Sequence, residues 1–386
     1  MKKTISILGS TGSVGLTTLS IIDKKKKFFN LYLLSANKNY KLICKQINKY
    51  NPNFFIVTDK KIYEKVKNKF KNKKIEILNN FKSIIQKKKI DITISAIPGI
   101  AGLLPTLQTI KITKKILIAN KESIICGWNI LSKCAKKYKT EIIPVDSEHY
   151  SIFNILKNNQ NREIEKVIIT ASGGPFLNYK LNQLKNIGPK DALKHPKWKM
   201  GKKITIDSST LMNKILELIE AQKLFNLPSN KLDILIHPQS LVHAIVIFKG
   251  GLKKFIYHET TMVIPLANAI FEENLNIKDF YKKKHKNHID NLTFAKVDKK
   301  IFPIIKIKKK LNQYPSTSII INAINEVLVD QFLSKKIPFL SIHKIIMAIL
   351  KDSNYKKYAI KKPKNISQIT YIDKWARLIT LKKLNS

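Results

Sequence analysis

The sequence is nearly without arginine. Of its 72 basic residues only Arg162 and Arg377 are arginine, so lysine carries almost all of a formal charge of +46 against 26 acidic residues. A surface built to grip phosphates in a bidentate fork keeps arginine, and here the lysines are strewn along the whole chain instead of gathered in one stretch. Lysine mixed throughout with isoleucine and asparagine reads as compositional drift on a tolerant surface, and no nucleic-acid partner is expected. Cysteine is equally scarce. Cys44, Cys126 and Cys134 form no C-x-x-C pair, which argues against a disulfide framework and a thiolate zinc site, and nothing near Cys126 would activate its thiol. No apolar run approaches the ~18 residues that a membrane span needs, so no membrane partner is expected. The 12 glycines and 14 prolines show no collagen-like period. Met1-Lys2-Lys3 leads straight into a strand-like run at 4–8, too short for a secretory core, and a cytoplasmic location is expected.

What is present is a chain of 386 residues, 44% hydrophobic, enough for two or three domains. Short β-rich runs at 4–8, 31–34, 54–57, 90–94, 116–119 and 142–145 alternate with helix-length stretches, the pattern of βαβ units in a parallel sheet. A second region carries strands at 166–170 and 234–236 with a long helix between them. The charged stretch 272–290 reads as a linker, and from about 292 onward the apolar spacing is helical without strands. The expected domains are therefore 1–146, 147–271, a linker over 272–291, and 292–386.

Gly9-Ser10-Thr11-Gly12-Ser13-Val14-Gly15 follows the first strand and opens a helical run at 16–22. Glycines so spaced make a tight turn and let backbone approach a pyrophosphate, while the helix N-terminus offers amides and positive dipole. The next strand ends in Asn37-Lys38-Asn39 with no acid to accept a ribose hydroxyl, which favours the 2′-phosphate and hence NADPH over NADH.

Two further stretches carry polar chemistry. Asp146 and Glu148 in Pro144-Val145-Asp146-Ser147-Glu148-His149 stand two apart beyond a strand; on an extended segment both would face one hard divalent cation such as Mg²⁺ or Mn²⁺, and a solvated pair in a loop is the other reading. In the run 207–217, helix-start chemistry precedes a mostly apolar stripe of Leu211, Ile215, Leu218 and Gln222, and Asn213, Lys214 and Glu217 share the opposite face. A phosphate at the Ser208, Asn213 and Lys214 end with Glu217 completing a metal site is one reading; an ordinary amphipathic helix with a polar surface is the other. Ser172-Gly173-Gly174 suits a small anion loop, and the loop 195–201 sets an imidazole and an indole in a non-periodic stretch. His237 and His243 border a strand.

Together these stretches, with Ala119-Asn120-Lys121-Glu122-Ser123 and His237-Pro238-Gln239-Ser240, resemble 1-deoxy-D-xylulose 5-phosphate reductoisomerase of the non-mevalonate isoprenoid pathway. The resemblance runs over 4–270, and Asn322-Ala323-Ile324-Asn325-Glu326 is similar to that family's C-terminal helical domain. It implies an α/β fold: an N-terminal Rossmann-like parallel-sheet domain, a central α/β catalytic domain and a small all-helical C-terminal domain. It implies a divalent metal on Asp146, Glu148 and Glu217, and the substrate phosphate on Ser172, Ser208, Asn213 and Lys214. Lys121 and Ser147 would meet the hydroxyl end of the phosphosugar, and Glu148, Trp198, Glu217, His243 and Met262 would also contact the substrate. His195 and Trp198 would belong to a lid over about 184–201. NADPH would contact Thr11, Gly12, Ser13, Val14, Asn37, Lys38, Asn39, Asn120, Glu122 and Gly201. Lys121, Asp146, Glu148, His195 and Glu217 would carry catalysis, in a homodimer. The sequence departs from the family's pattern at Asn37, where glycine is usual, and over 258–263. A semialdehyde or homoserine dehydrogenase would explain the glycine loop but not three carboxylates beside a phosphate anchor.

Overall fold

The computed structural model describes residues 2–84, 89–159, 163–198, 200–272, 275–281 and 291–385. Arg162, Lys199 and most of the expected linker, 273–274 and 282–290, lie outside the described residues.

The N-terminal half alternates as its apolar runs dictate: β1 (Lys3–Leu8), α1 (Ser13–Lys24), β2 (Phe29–Ala36), α2 (Tyr40–Tyr50), β3 (Phe54–Val57), α3 (Lys60–Lys69), β4 (Glu76–Leu78), β5 (Ile90–Ser95), α4 (Leu103–Ile110), β6 (Thr113–Ile118), α5 (Lys121–Tyr138) and β7 (Glu141–Pro144). The strands form one sheet in the order β4-β3-β2-β1-β5-β6-β7, every neighbouring pair parallel. Ile5, Ile7, Leu33, Leu34, Ile92, Ile94, Ile116 and Leu117 are all but fully buried, as strands covered on both faces require. Chain order reverses between β1 and β5, and ligands of such sheets bind at that switch, outside the strands' carboxyl ends. The glycine loop lies there. The short edge strand β4 was not evident from the sequence.

The chain continues with α6 (Ser147–Lys157), β8 (Ile164–Ala171), α7 (Pro189–Ala192), α8 (Lys202–Ser209), α9 (Met212–Phe225), β9 (Leu232–Ile236), β10 (Val242–Phe248), β11 (Lys253–Tyr257), α10 (Val263–Phe271), β12 (Ala295–Lys296), α11 (Thr317–Leu333), α12 (Ser341–Ile349), α13 (Tyr355–Ala359) and α14 (Ile366–Asn385). A second sheet has the order β11-β10-β8-β9-β12, with only β8 and β9 parallel. The expectation of helices alone after residue 292 is corrected by β12, which pairs with β9. One long helix from 207 is likewise corrected: α8 ends at Ser209 and α9 starts at Met212, because Leu211 between them takes a left-handed φ of 66°.

The chain divides into two compact units. One comprises residues up to Ser123, Asn129–Tyr150 and the described residues of 261–281; the other comprises Ile124–Trp128, Ser151–Thr260 and the described C-terminal residues from 291. The boundary expected at 271 thus differs from the packing. Phe271 of α10 meets Phe29 edge-on at 5.4 Å and Phe280 at 5.0 Å, and Lys25 pairs with Asp279 at 2.6 Å, so α10 and the start of the expected linker lie with the parallel sheet. In the other unit, Arg377 of α14 pairs with Glu326 of α11 and with Asp373, clamping the two helices.

Candidate active site

In the first unit, the turn after β1 is shaped by what glycine lacks. Gly9 has φ +84°, and a Cβ there would lie 2.7 Å from the Ala96 carbonyl oxygen. A Cβ on Gly15 would come within 2.4 Å of the Gly9 oxygen, so only glycine lets α1 start this close to the strand. Gln46 of α2 pins the loop, its amide donating to the Ser10 carbonyl at 2.9 Å while Ser10 Oγ donates back at 2.6 Å; no motif marks this residue. Gly12 caps α1 without a side-chain bond, and Gly12 and Ser13 are exposed. An uncapped helix N-terminus at a switch point, with backbone open to approach, fits a dinucleotide pyrophosphate. Asn37, Lys38 and Asn39 lie exposed beyond β2, where Asn39 also caps α2 by accepting from the Leu42 amide. Asn120 is committed inside the protein: it caps α5 through Ser123 and donates to Ile97, Gly99 and Glu122.

Asp146 ends the β7 connection, and α6 begins at the next residue. Asp146 and Glu148 therefore share a helix start and not the extended face expected from their spacing, since the Glu148 amide turns back to donate to Asp146 at 3.3 Å. Lys121 Nζ lies 3.3 Å from Asp146 and His149 Nδ1 3.2 Å from its other oxygen. Burial pushes the Asp146 carboxyl up, but Lys121 and His149 outweigh it and hold it well below the usual carboxylate range. Ser147 donates to Glu148 at 2.6 Å. Met262 precedes α10 as its N-cap.

In the second unit, β8 delivers Ser172 to a turn in which Gly173 and Gly174 have φ +85° and +62°. His195 Nε2 lies 3.2 Å from Ser172 Oγ and 3.1 Å from Ser208 Oγ. Its Nδ1 accepts from the amides of Lys197 and Trp198 at 3.2 and 2.9 Å, so the ring proton sits on Nε2, facing the two serines. Burial, with Lys214 nearby, lowers the His195 pKa to about 4. Two hydroxyls, a neutral imidazole N–H and a lysine make a cradle for an anion. Trp198 meets His243 edge-on at 6.2 Å, and His243 stacks on His258 at 4.0 Å. Gly201 caps α8.

Asn213, Lys214 and Glu217 do share a face of α9, yet that face is buried, which corrects the reading of a solvated surface: every residue from Met212 to Ala221 is buried. The polar groups tolerate this by pairing. Asn213 donates to one Glu217 oxygen and Lys214 to the other at 2.7 Å. The expected lid is anchored more firmly than the sequence suggested, because Leu184, Ile187 and Ala192 are buried and Ser209 Oγ donates to the Ala192 carbonyl at 2.6 Å. Among the described residues no helix is long and apolar enough to cross a membrane.

Three family models match the chain: one described as 1-deoxy-D-xylulose 5-phosphate reductoisomerase over residues 5–127, that family's C-terminal domain over 142–225, and a DXP reductoisomerase C-terminal domain over 259–379. A 1-deoxy-D-xylulose 5-phosphate reductoisomerase of Pelagibacter ubique is 47% identical over 387 residues, 98% of each chain. One from Wolbachia pipientis of Culex pipiens is 40% identical, covering 98% of this chain and 96% of that one. A crystal structure of DOX-P reductoisomerase in complex with NADPH, fosmidomycin and magnesium superposes with a TM-score of 0.89 at 30% identity, covering 99% of this chain and 98% of the other. The Zymomonas mobilis enzyme in complex with NADPH gives 0.88 at 30% identity, with both chains fully covered. With glycine loop, carboxylates, anion cradle and full-length likeness in agreement, the chain belongs to the 1-deoxy-D-xylulose 5-phosphate reductoisomerase family.

Proposed function

We propose that this protein rearranges 1-deoxy-D-xylulose 5-phosphate and reduces the product to 2-C-methyl-D-erythritol 4-phosphate, using NADPH and one divalent cation. The observation that carries the reading is the cradle of Ser172, His195, Ser208 and Lys214, whose donors suit a phosphate monoester. When bound, NADPH supplies a hydride and the cation supplies a Lewis acid for the carbonyl and hydroxyl oxygens.

The chain's own residues would divide the work as follows. Thr11, Gly12, Ser13 and Val14 hold the pyrophosphate on α1, Lys38 with Asn37 and Asn39 meets the 2′-phosphate, and Asn120, Glu122 and Gly201 border the nicotinamide end. Asp146, Glu148 and Glu217 hold the cation. The low pKa of Asp146 keeps its carboxylate ionised, as a hard-cation ligand must be, and His149 orients it. Ser172, Ser208, Asn213 and Lys214 hold the phosphate, remote from the reacting carbons, so that binding energy spent there positions the sugar. Lys121 and Ser147 meet its hydroxyl end, with His243 and Met262 alongside. His195 keeps its proton on Nε2 and donates to the substrate. The lid over about 184–201 closes over the bound substrate, and Trp198 within it excludes water when closed. Residues 1–146 bind NADPH, 147–271 bind metal and substrate, 272–291 link, and 292–386 buttress the catalytic part. A cytoplasmic homodimer accepting Mn²⁺ as well as Mg²⁺ is part of the proposal, on the strength of family membership.

The test is NADPH oxidation by purified protein on adding the substrate. It should require Mg²⁺ or Mn²⁺ and stop with excess chelator; oxidation that ignores the chelator would remove the cation from the reading.

A further inference from the structure

A carboxylate sits where physics disfavours it. Asp207 is 1% exposed and lies in the last turn of α8, where the helix dipole opposes negative charge. Two groups offset this. Lys203, one turn back, places Nζ 3.1 Å from one oxygen, and Asn325 of α11 donates to the other at 2.7 Å across 118 residues of sequence. Asn325 is fully buried, and among the described residues its own Oδ1 has no hydrogen-bond partner, so the amide gains little from its surroundings beyond the bond to Asp207. An apolar residue would pack α11 without an orphaned oxygen.

The residue after Asp207 is Ser208, which presents its hydroxyl to His195 Nε2. The same turn of α8 is also tied on its other side, to the loop before it and to the Gly173–Gly174 turn. Ser209 Oγ donates to the Ala192 carbonyl, and a Cβ on Gly174 would come within 3.0 Å of the Ser208 carbonyl oxygen. Backbone on one side and a buried carboxylate on the other thus hold the helix end that carries Ser208.

We propose that Asn325 is a positioning residue for the anion cradle: through Asp207 it sets the angle at which α8 offers Ser208, and with it His195, to the substrate phosphate. The proposal rests on the cradle binding that phosphate. It gives the C-terminal helices a part in substrate affinity, although none of their residues is assigned to the substrate.

The experiment measures substrate KM, kcat, NADPH affinity and thermal unfolding for Ser208→Ala, Asn325→Ala, Asn325→Asp and the exchange pair Asn325→Asp with Asp207→Asn. Asn325→Asp is isosteric but turns the donor into a second carboxylate facing Asp207, and it should raise KM about tenfold or more, with NADPH affinity unchanged. The exchange pair restores one donor and one acceptor in the opposite sense and should recover most of the lost KM. Lys203 faces the same pair from α8, while Glu326 and Asp373 are held by Arg377, so the recovery reads the Asn325–Asp207 bond. An exchange pair no better than Asn325→Asp, or Asn325 variants with wild-type KM while Ser208→Ala raises it, would overturn the proposal. If Ser208→Ala itself leaves KM unchanged, the cradle reading fails first and the proposal falls with it.

Discussion

Gly12 and Gly15 stand three residues apart at the start of α1, and adding the same methyl group to each should have different consequences. On Gly15 the new Cβ would lie 2.4 Å from the Gly9 oxygen and 2.7 Å from the Ser10 Cα. Real Cβ atoms essentially never come within 3.0 Å of such neighbours, so the backbone of the loop must move by about half an ångström or more. Gln46 resists that movement through its two bonds to Ser10. Overpacking of this kind costs roughly 1–3 kcal/mol, and the displaced atoms are those proposed to hold the pyrophosphate. If that distortion carries over to binding, the loss is about five- to a hundredfold in NADPH affinity, together with a lower melting temperature. On Gly12, whose φ is −80°, the Cβ meets the protein no closer than 3.4 Å. Gly12→Ala should therefore melt like the wild type and still bind NADPH worse, because the methyl group occupies space the cofactor's backbone contacts need. NADPH fluorescence titration paired with thermal unfolding checks both. A Gly15→Ala protein with wild-type affinity and melting temperature, or a Gly12→Ala protein with wild-type affinity, would refute the reasoning.

Three further outcomes are expected. Lys214→Ala should weaken substrate binding by about ten- to a hundredfold, the value of a charge-assisted bond of roughly 1.5–3 kcal/mol, while NADPH affinity is kept; isothermal titration reads both. Glu217→Gln should nearly abolish turnover and raise the Mn²⁺ concentration needed for half-maximal activity, since it removes charge from a hard-cation ligand; near-normal activity at limiting metal would exclude Glu217. His195 has a folded pKa of about 4 against 6.5 when unfolded, so the unfolded chain binds a proton first as pH falls. Its contribution is neutral above about pH 6.5 and destabilising progressively down to about pH 4. His195→Asn should then flatten the fall of melting temperature across that window, and an unchanged slope would contradict the buried neutral ring.

The parallel sheet was legible because its strands are nearly continuous apolar runs bounded by polar residues, and each expected run matches β1, β2, β3, β5, β6 or β7. β10 was missed although Val242 to Phe248 is rich in β-branched residues, because His243 reads as bordering the strand before it, whereas it lies inside a strand of its own. The break at Leu211 carries no signal: leucine at φ 66° is held by packing, and neither glycine nor proline marks it. Asn213, Lys214 and Glu217, each polar, leave a ligand site and a solvated surface equally open in the sequence, whereas pairing among them is what allows their burial. The motif residues were legible as types, but the Nε2 tautomer of His195, the grip of Gln46 on Ser10 and the bond from Asn325 to Asp207 depend on contacts that no local pattern encodes.

The central claim is the reaction itself, and product analysis with labelled cofactor tests it most directly. Purified protein, Mg²⁺, 1-deoxy-D-xylulose 5-phosphate and NADPH deuterated at the transferable position should yield 2-C-methyl-D-erythritol 4-phosphate. One deuterium should sit on its newly reduced carbon, one product forming per NADPH consumed. An unbranched, simply reduced sugar phosphate would contradict the rearrangement, and recovery of unchanged substrate and NADPH would contradict the reading as a whole.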